Sequence, residues 1–246
     1  MSDQQQLASE GERGGNRAMG EMRNFGCSLA ACAAAVALVV SFGPWWKEDP
    51  GPQLTELPEK LAKDRTTILV GDPEAPITVT VFEDPRCAMS RTFETSGSGA
   101  YLRELAKKRE INIEYKLATF IDDKQGGGGS RKAVAALKAA LDQEKFTEYH
   151  EQLYANQPPE AVDGYTEPFL LDIGSKVVGL RGSAFDKAVK NSAHSDYTVA
   201  VDQSYEAAGS PATPTIMVNG SALPPAFADA IYDKDDFAGV LRSYTG

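Results

Sequence analysis

The chain has 246 residues and is acidic, with a formal net charge of −10 and a sequence pI of about 4.8. A hydrophobic fraction of 42% is normal for a globular protein, so this length suffices for one ordinary domain with additional segments. The acidic balance, without a Lys/Arg cluster, argues against nucleic acid as a partner. Three cysteines and two distant histidines suggest neither a disulfide framework nor a zinc site, and we expect no metal and no cofactor.

The N-terminal part of the chain predicts a membrane anchor. Residues 1–24 are polar, and we expect a disordered cytoplasmic tail. Residues 25–43 (FGCSLAACAAAVALVVSFG) contain no charge over 19 positions, which nearly matches a hydrocarbon core of about 30 Å. Trp45 and Trp46 follow as interfacial aromatic residues, and arginines precede the run. The pattern predicts one transmembrane helix in the cell membrane, with the N-terminus cytoplasmic and the following domain outside.

Two other interpretations of the apolar run remain open. A cleaved signal peptide has a similar run, although 24 residues is long for the region before it. The tetrapeptide that ends at Cys32, LAAC, also resembles a lipoprotein processing site, but most of the apolar run follows it. In the anchor interpretation, Cys27 and Cys32 lie in or against the bilayer, so Cys87 is the cysteine of the extracytoplasmic part.

The segment after the anchor predicts a tether and then an α/β domain. Residues 44–65 contain four prolines among charged residues, which is typical of a linker, and folded structure is expected at residues 66–246. Residues 77–82 form a continuous apolar and β-branched run, which predicts a strand buried on both faces. Residues 111–117 alternate apolar and polar side chains, and the helical pattern between these two strands predicts a right-handed crossover with parallel strands.

The second half of the domain is predicted to be mostly helical. Residues 130–208 show several helical patterns and form an all-helical block between strands, with Ser130 as the expected N-cap of its first helix. Residues 215–218 (TIMV) predict a further strand, and the dipeptide Asn219–Gly220 after it is a strong signal for a two-residue hairpin.

The chain is organised around the stretch EDPRCAMS, residues 83–90, where the first buried strand gives way to a helix. A cysteine in this place lies at the N-terminal end of the helix, where unpaired N–H groups favour a thiolate, the nucleophilic form. Arg86 would add positive charge beside the sulfur. Ser90 stands where a second cysteine would complete a C-x-x-C pair. A lone cysteine beside a helix can equally be an inert packing residue.

Several segments resemble the DsbA-like branch of the thioredoxin fold, over about residues 66–246. They are GDPEAPITV (71–79), EDPRCAMS (83–90), KFTEYHEQLY (145–154) and ATPTIMVNG (212–220). The resemblance implies a thioredoxin-like α/β fold with a helical insertion. It also implies a cis Thr213–Pro214 bond beside the reactive cysteine, catalytic positions at Cys87 and Ser90, and substrate-binding positions at Thr213, Pro214 and Met89.

Three departures from the family pattern limit the function that the resemblance implies. Ser90 replaces the second cysteine, Val81 stands where many members have a buried acid, and Ala88–Met89 lacks the histidine of strong oxidants. Because a dithiol cycle needs two thiols, we expect exchange through a single cysteine. This chemistry is isomerase- or reductase-like, with cysteine-containing extracytoplasmic proteins or small thiols as partners. The alternative is a redox-inactive, membrane-tethered module that binds or chaperones a partner.

Overall fold

The computed structural model describes residues 52–244, and the predicted tail and apolar run lie outside them. The strands are β1 (Glu59–Leu61), β2 (Ile68–Gly71), β3 (Ile77–Glu83), β4 (Ile111–Leu117), β5 (Thr215–Val218) and β6 (Ser221–Ala222). The helices are α1 (Ala88–Thr95), α2 (Gly99–Lys107), α3 (Phe120–Gln125), α4 (Gly129–Leu141), α5 (Phe146–Ala155), α6 (Glu167–Ser175), α7 (Ser183–Lys190), α8 (Ser195–Ala207) and α9 (Lys234–Arg242). Short 3-10 turns span Pro225–Phe227 and Ala230–Tyr232.

The strands form one sheet with the order β1-β2-β4-β3-β5-β6. Its centre is the parallel pair β3 and β4, in which Val79 lies opposite Ile113, and β3 also pairs with β5 in the antiparallel sense. Since α1 and α2 connect β3 to β4, the predicted β-helix-β unit with parallel strands is confirmed. Nearly every residue of β3 is buried, as its continuous apolar run predicted.

The two faces of β3 contact different helices. Side chains alternate between the faces of a strand. Phe82 packs with Ala118 and with Tyr205 of α8, whereas Glu83 contacts His150 of α5. The last two residues of β3, Phe82 and Glu83, therefore place one apolar and one acidic side chain on opposite sides of the sheet, shortly before the cysteine. The segment that leads to Cys87 thus has apolar contacts on one face of the sheet and polar contacts on the other.

The hairpin signal at Asn219–Gly220 is confirmed. Strands β5 and β6 pair with Val218 opposite Ser221, so these two residues form the connection. Their φ angles are +50° and +77°, and a tight hairpin of this type requires positive φ at both positions. Asn219 also accepts the N–H of Thr78 through its side chain at 2.9 Å, which ties the hairpin to β3.

The folded part begins earlier than residue 66, so the predicted boundary of the tether is wrong. Strand β1 lies inside residues 44–65 and pairs with β2, with Lys60 opposite Leu69. Its first residue, Glu59, accepts the N–H groups of Phe146 at 2.5 Å and Thr147 at 2.9 Å, and so caps the N-terminus of α5. A strand of three residues among prolines gives no periodic signal, and its partners lie far along the chain.

The helical block also begins earlier than predicted, because α3 precedes residue 130. Ser130 is not the N-cap of α4, which starts at Gly129; its hydroxyl instead donates to Asp84 near the cysteine. Among residues 52–244, no helix combines the length and the apolar character that crossing a bilayer requires.

The Glu59 contact predicts a stabilising role for a residue before the expected domain. Glu59→Ala should lower the free energy of unfolding by about 1–2 kcal/mol, because two partly buried N–H groups at a helix start lose their acceptor. Chemical denaturation measures this loss. Glu56→Ala, at an exposed position of the same segment, is the matched control and should change stability little. Equal stabilities for the two variants would contradict the capping role.

Candidate active site

Cys87 occupies the junction between β3 and α1. It is the N-cap residue of α1, with extended backbone angles of φ −66° and ψ 122°, and its side chain makes no capping bond. Its N–H donates to the carbonyl of Asp84 at 2.9 Å. Its thiol donates to the carbonyl oxygen of Thr213 at 3.2 Å, and the residue is 6% exposed. The sulfur therefore sits at the start of a helix, largely covered, against the loop before β5.

That loop contains the cis peptide bond between Thr213 and Pro214. The structure thus brings Cys87, Thr213 and Pro214 together, as the resemblance implied, and it confirms the cis bond. Met89 lies two residues beyond the cysteine and is 47% exposed, so its side chain is accessible to a substrate. The hydroxyl of Thr213 is buried without a protein partner.

Ser90 does not share the surroundings of Thr213, Pro214 and Met89. It is fully buried, and its hydroxyl has no hydrogen-bond partner among the described residues. Ser90 therefore makes no hydrogen bond to the sulfur in the described part of the chain, and the thiol of Cys87 donates to Thr213 instead. Ser90 occupies the position of a second cysteine without supplying either a thiol or a hydrogen bond.

A groove of about 660 Å³ opens beside the sulfur. Its lining includes Cys87 and Thr213, and the stacked rings of Phe120 and Tyr205, whose centroids are 5.7 Å apart. Four acidic residues and two basic residues also line it: Asp123, Glu160, Asp202, Glu206, Lys124 and Arg131. Its volume lies within the range of roughly 300–1,000 Å³ that is usual for ligand pockets, and its lining has an aromatic platform and an acidic balance.

The turn before the cysteine is held by buried polar groups. Asp84 is fully buried and accepts the N–H groups of Arg86 at 2.8 Å and Ile121 at 3.0 Å, and the hydroxyl of Ser130 at 2.7 Å. Burial raises the pKa of Asp84 to about 6, although these bonds favour its ionised form. This one carboxyl links the turn to α3 and α4.

Arg86 does not act as the free positive charge beside the sulfur that the sequence suggested. Its guanidinium is buried and forms an ion pair with Asp122 at 2.7 Å, and it also donates to the carbonyl of Gly126. Buried charges are retained in proteins when they are paired in this way. The side chain of Arg86 therefore fixes the loop before α4, and its charge is compensated there.

A second buried cluster lies behind the turn and was not predicted. His150 Nε2 and Glu83 Oε1 are 2.5 Å apart, and Glu94 pairs with Arg103, also at 2.5 Å. Burial raises the pKa of Glu83 to about 8 and lowers that of His150 to about 4. Near neutral pH the carboxyl of Glu83 is therefore protonated and the imidazole of His150 is uncharged. Two sequence signals could have indicated this cluster: a glutamate at the end of a buried strand and a histidine in an amphipathic helix.

The same cluster contains the residues that could offer ligands to a metal ion. Glu83, Glu94 and His150 each present one such atom, all within 4.8 Å of one another. Arg103 already supplies a cation to Glu94, and its side chain reaches Glu151 at 2.7 Å as well. The arrangement has the chemistry of a proton-sharing pair beside an ion pair.

Glu83→Gln should flatten the pH dependence of stability between about pH 6.5 and pH 8. Folded Glu83 keeps its proton up to a pKa of about 8, whereas the unfolded carboxyl loses it near 4.5. Its contribution is therefore complete below pH 4.5 and is lost as the pH rises through 8. The lowered pKa of His150 opposes this loss only below 6.5, where unfolded imidazole is protonated.

Thermal melts of wild type and variant at pH 6.5 and pH 8 measure this effect. The wild type should lose on the order of 1 kcal/mol more than Glu83→Gln over this interval. Glu56→Gln, at an exposed position, should behave as wild type. Parallel curves for all three proteins would refute the assignment of a proton to Glu83.

Comparison with known proteins agrees with this architecture. A family profile described as thioredoxin matches residues 63–231. Disulfide bond formation protein D of Bacillus subtilis (strain 168) is 23% identical over 168 residues, which are 68% of this chain and 72% of that protein.

Two solved structures share the fold. BdbD from Bacillus subtilis, in its oxidised form, superposes with a TM-score of 0.61 at 19% identity, over 78% of this chain and 98% of that one. DsbA of Chlamydia trachomatis superposes with a TM-score of 0.58 at 20% identity, over 76% and 94%. The matched family profile includes both Cys87 and the Thr213–Pro214 bond. The chain therefore belongs to the DsbA-like thioredoxin-fold family, as a member in which Ser90 replaces the second cysteine of the active-site motif.

Proposed function

We propose that this protein carries out thiol–disulfide exchange through a single cysteine, Cys87. The observation that carries the proposal is the 3.2 Å contact between its sulfur and the Thr213 carbonyl, beside the cis proline and at the edge of a peptide-sized groove. A relative named for disulfide bond formation supports the same class of reaction.

The first step is attack of the Cys87 thiolate on one sulfur of a substrate disulfide. A new bond forms between Cys87 and that sulfur, the substrate S–S bond breaks, and the other substrate sulfur leaves as a thiolate that takes up a proton. The product is a mixed disulfide between Cys87 and the substrate.

The second step needs a thiol from outside the domain. Cys87 is the free cysteine of residues 52–244, and Ser90 offers no thiol to resolve the mixed disulfide. A second substrate cysteine or a small-molecule thiol therefore attacks the substrate sulfur, and Cys87 leaves as a thiolate. A second cysteine of the same substrate gives isomerisation. A small thiol instead leaves the substrate sulfur joined to that thiol in a new disulfide. A second small thiol then attacks the small thiol's sulfur, which releases the reduced substrate thiol and a small-molecule disulfide.

Substrate binding would use the loop before β5 and the groove. Main-chain groups of Thr213 lie beside the sulfur and can pair with an extended substrate segment, which is how strand-like peptides are often held. The exposed side chain of Met89 and the ring of Phe120 in the groove would supply apolar contact to the substrate. We place this activity outside the cytoplasm because residues 25–43 have the composition of a membrane span.

A redox-inactive binding module is the second candidate. Two observations favour it: the 6% exposure of Cys87 and the absence of a resolving group at Ser90. In this function the groove binds a partner segment, and the sulfur is a packing group. The two candidates differ in whether Cys87 reacts.

Alkylation of Cys87 separates the two candidates. If exchange is the function, iodoacetamide at pH 6 should modify Cys87 in the full chain about tenfold faster than a free cysteine, because exchange and alkylation use the same attacking sulfur. Peptide mass spectrometry follows the modification, and the Cys87→Ala variant shows any background from Cys27 and Cys32. Slower modification than that of the free amino acid would support the binding module.

A second cysteine at position 90 should change the type of reaction. Ser90→Cys would place two sulfurs at the spacing of a C-x-x-C pair, and we expect an intramolecular disulfide and stoichiometric oxidation of a reduced dithiol peptide. Wild type should only reshuffle peptide disulfides. Thr92→Cys, at an exposed position of α1, is the matched control and should gain no oxidase activity. No disulfide in Ser90→Cys would show that the site does not accommodate the family's dithiol chemistry.

A further inference from the structure

The loop between α5 and α6 holds both neighbours of the reactive cysteine. Glu160 accepts the N–H of Ala88 through its carboxylate at 2.9 Å, and its own carbonyl accepts the guanidinium of Arg86 at 3.0 Å. Gln157 donates to the carbonyl of Arg86 at 2.8 Å. Glu160 is thus attached to the residues on either side of Cys87.

The carboxylate of Glu160 occupies an N–H group at the start of α1 that could otherwise stabilise a negative charge on the Cys87 sulfur. The N–H of Ala88 belongs to the first turn of α1, whose positive end favours an anion. Four covalent bonds separate this nitrogen from the Cys87 sulfur, so the two atoms lie at most roughly 5 Å apart, and the bonded carboxylate oxygen lies within roughly 8 Å of the sulfur. That upper limit is comparable with the screening length of about 8 Å at physiological salt. The charge of Glu160 therefore opposes the thiolate and competes for its N–H donor.

The other charges around the sulfur leave this carboxylate uncompensated. Arg131 pairs with Asp123 at 3.0 Å and with Asp202 at 3.4 Å, whereas Lys124 lies 4.5 Å from the centre of the Phe120 ring. Other titratable groups near the sulfur include the buried Asp84, the exposed Glu206 and the exposed Arg91, whose backbone N–H donates to the carbonyl of Cys87 at 3.1 Å. Tyr205 and Tyr232 also lie near it, and their pKa values are raised first by burial and also by Cys87. Within residues 52–244 no salt bridge joins Glu160 to a cation.

We propose that Glu160 makes Cys87 selective for substrate segments that carry a lysine or arginine beside their reacting cysteine. This inference rests on the proposed exchange function. A positive side chain entering the groove would pair with Glu160 and remove the charge that opposes the thiolate. The same positive charge favours departure of the substrate sulfur as a thiolate. An acidic segment would meet repulsion from Glu160, since like charges in a contact zone are unfavourable.

The test compares three peptide disulfides that differ in one residue beside the cysteine: Lys, Gln or Glu. Wild-type protein should exchange with the Lys peptide about tenfold faster than with the Glu peptide at low salt, and the ratio should shrink in 0.5 M NaCl. Glu160→Gln should bring the three rates within about twofold and raise the rate with the Gln peptide. Glutamine keeps an oxygen acceptor for the N–H of Ala88, so this variant removes the charge and retains the bond.

Glu74→Gln is the matched control, because Glu74 is exposed and does not line the groove. It should retain most of the preference for the Lys peptide. Equal wild-type rates with all three peptides would overturn the selectivity while leaving exchange intact, as would a preference that survives in Glu160→Gln or is lost equally in Glu74→Gln. Absence of exchange with every peptide would instead remove the proposed function, and this inference with it. The salt dependence of wild type tests the charge effect even where a variant folds poorly.

Discussion

The contact between the Cys87 sulfur and the Thr213 carbonyl is the interaction around which the site is built. It follows from one register of the sheet: Phe82 of β3 lies opposite Thr215 of β5. Cys87 comes a few residues after Phe82, and Thr213 comes two residues before Thr215, so both leave the same edge of the sheet. A slip of one residue would exchange the faces of β5 and remove the match. The antiparallel β3–β5 pairing therefore places the sulfur of Cys87 beside the carbonyl of Thr213.

Buried polar bonds keep the segment between β3 and α1 in one conformation. Asp84 receives two N–H groups and the hydroxyl of Ser130, and the paired guanidinium of Arg86 anchors the neighbouring loop. Unpaired polar groups in these places would be costly, so the bonds make one arrangement of the turn much more favourable than others. A sulfur mounted on such a turn has a fixed direction relative to the groove. The same bonds compensate the charge of Arg86, whereas the carboxylate of Glu160 accepts the N–H of Ala88 at the start of α1.

The sequence predicted those parts of the fold that depend on local pattern. The buried run of β3, the alternation in β4 and the Asn219–Gly220 hairpin each reflect the period of a strand or the φ angles of a turn. The cis bond before Pro214 came from resemblance, since a sequence pattern alone does not distinguish the two isomers.

The parts that were missed depend on contacts between distant segments. Strand β1 is too short to show a period, and only its partner β2 and the start of α5 make it a strand. The direction of the Arg86 side chain is decided by Asp122, and the place of Glu160 by the Ala88 N–H. Neither partner is near in sequence, so the charge around the sulfur could not be worked out from the neighbours of Cys87. The chemical type of the site was predictable, but its electrostatics were not.

Trapping of mixed disulfides on Cys87 in intact cells is the most direct test of the central claim. Rapid acid quenching, alkylation of free thiols and mass spectrometry of the isolated full chain would identify whatever is attached to this sulfur. The account predicts cysteine-containing peptides of extracytoplasmic proteins, or small thiols, joined to Cys87 and absent from the Cys87→Ala variant. A sulfur found only as the free thiol in every quenched sample would contradict it.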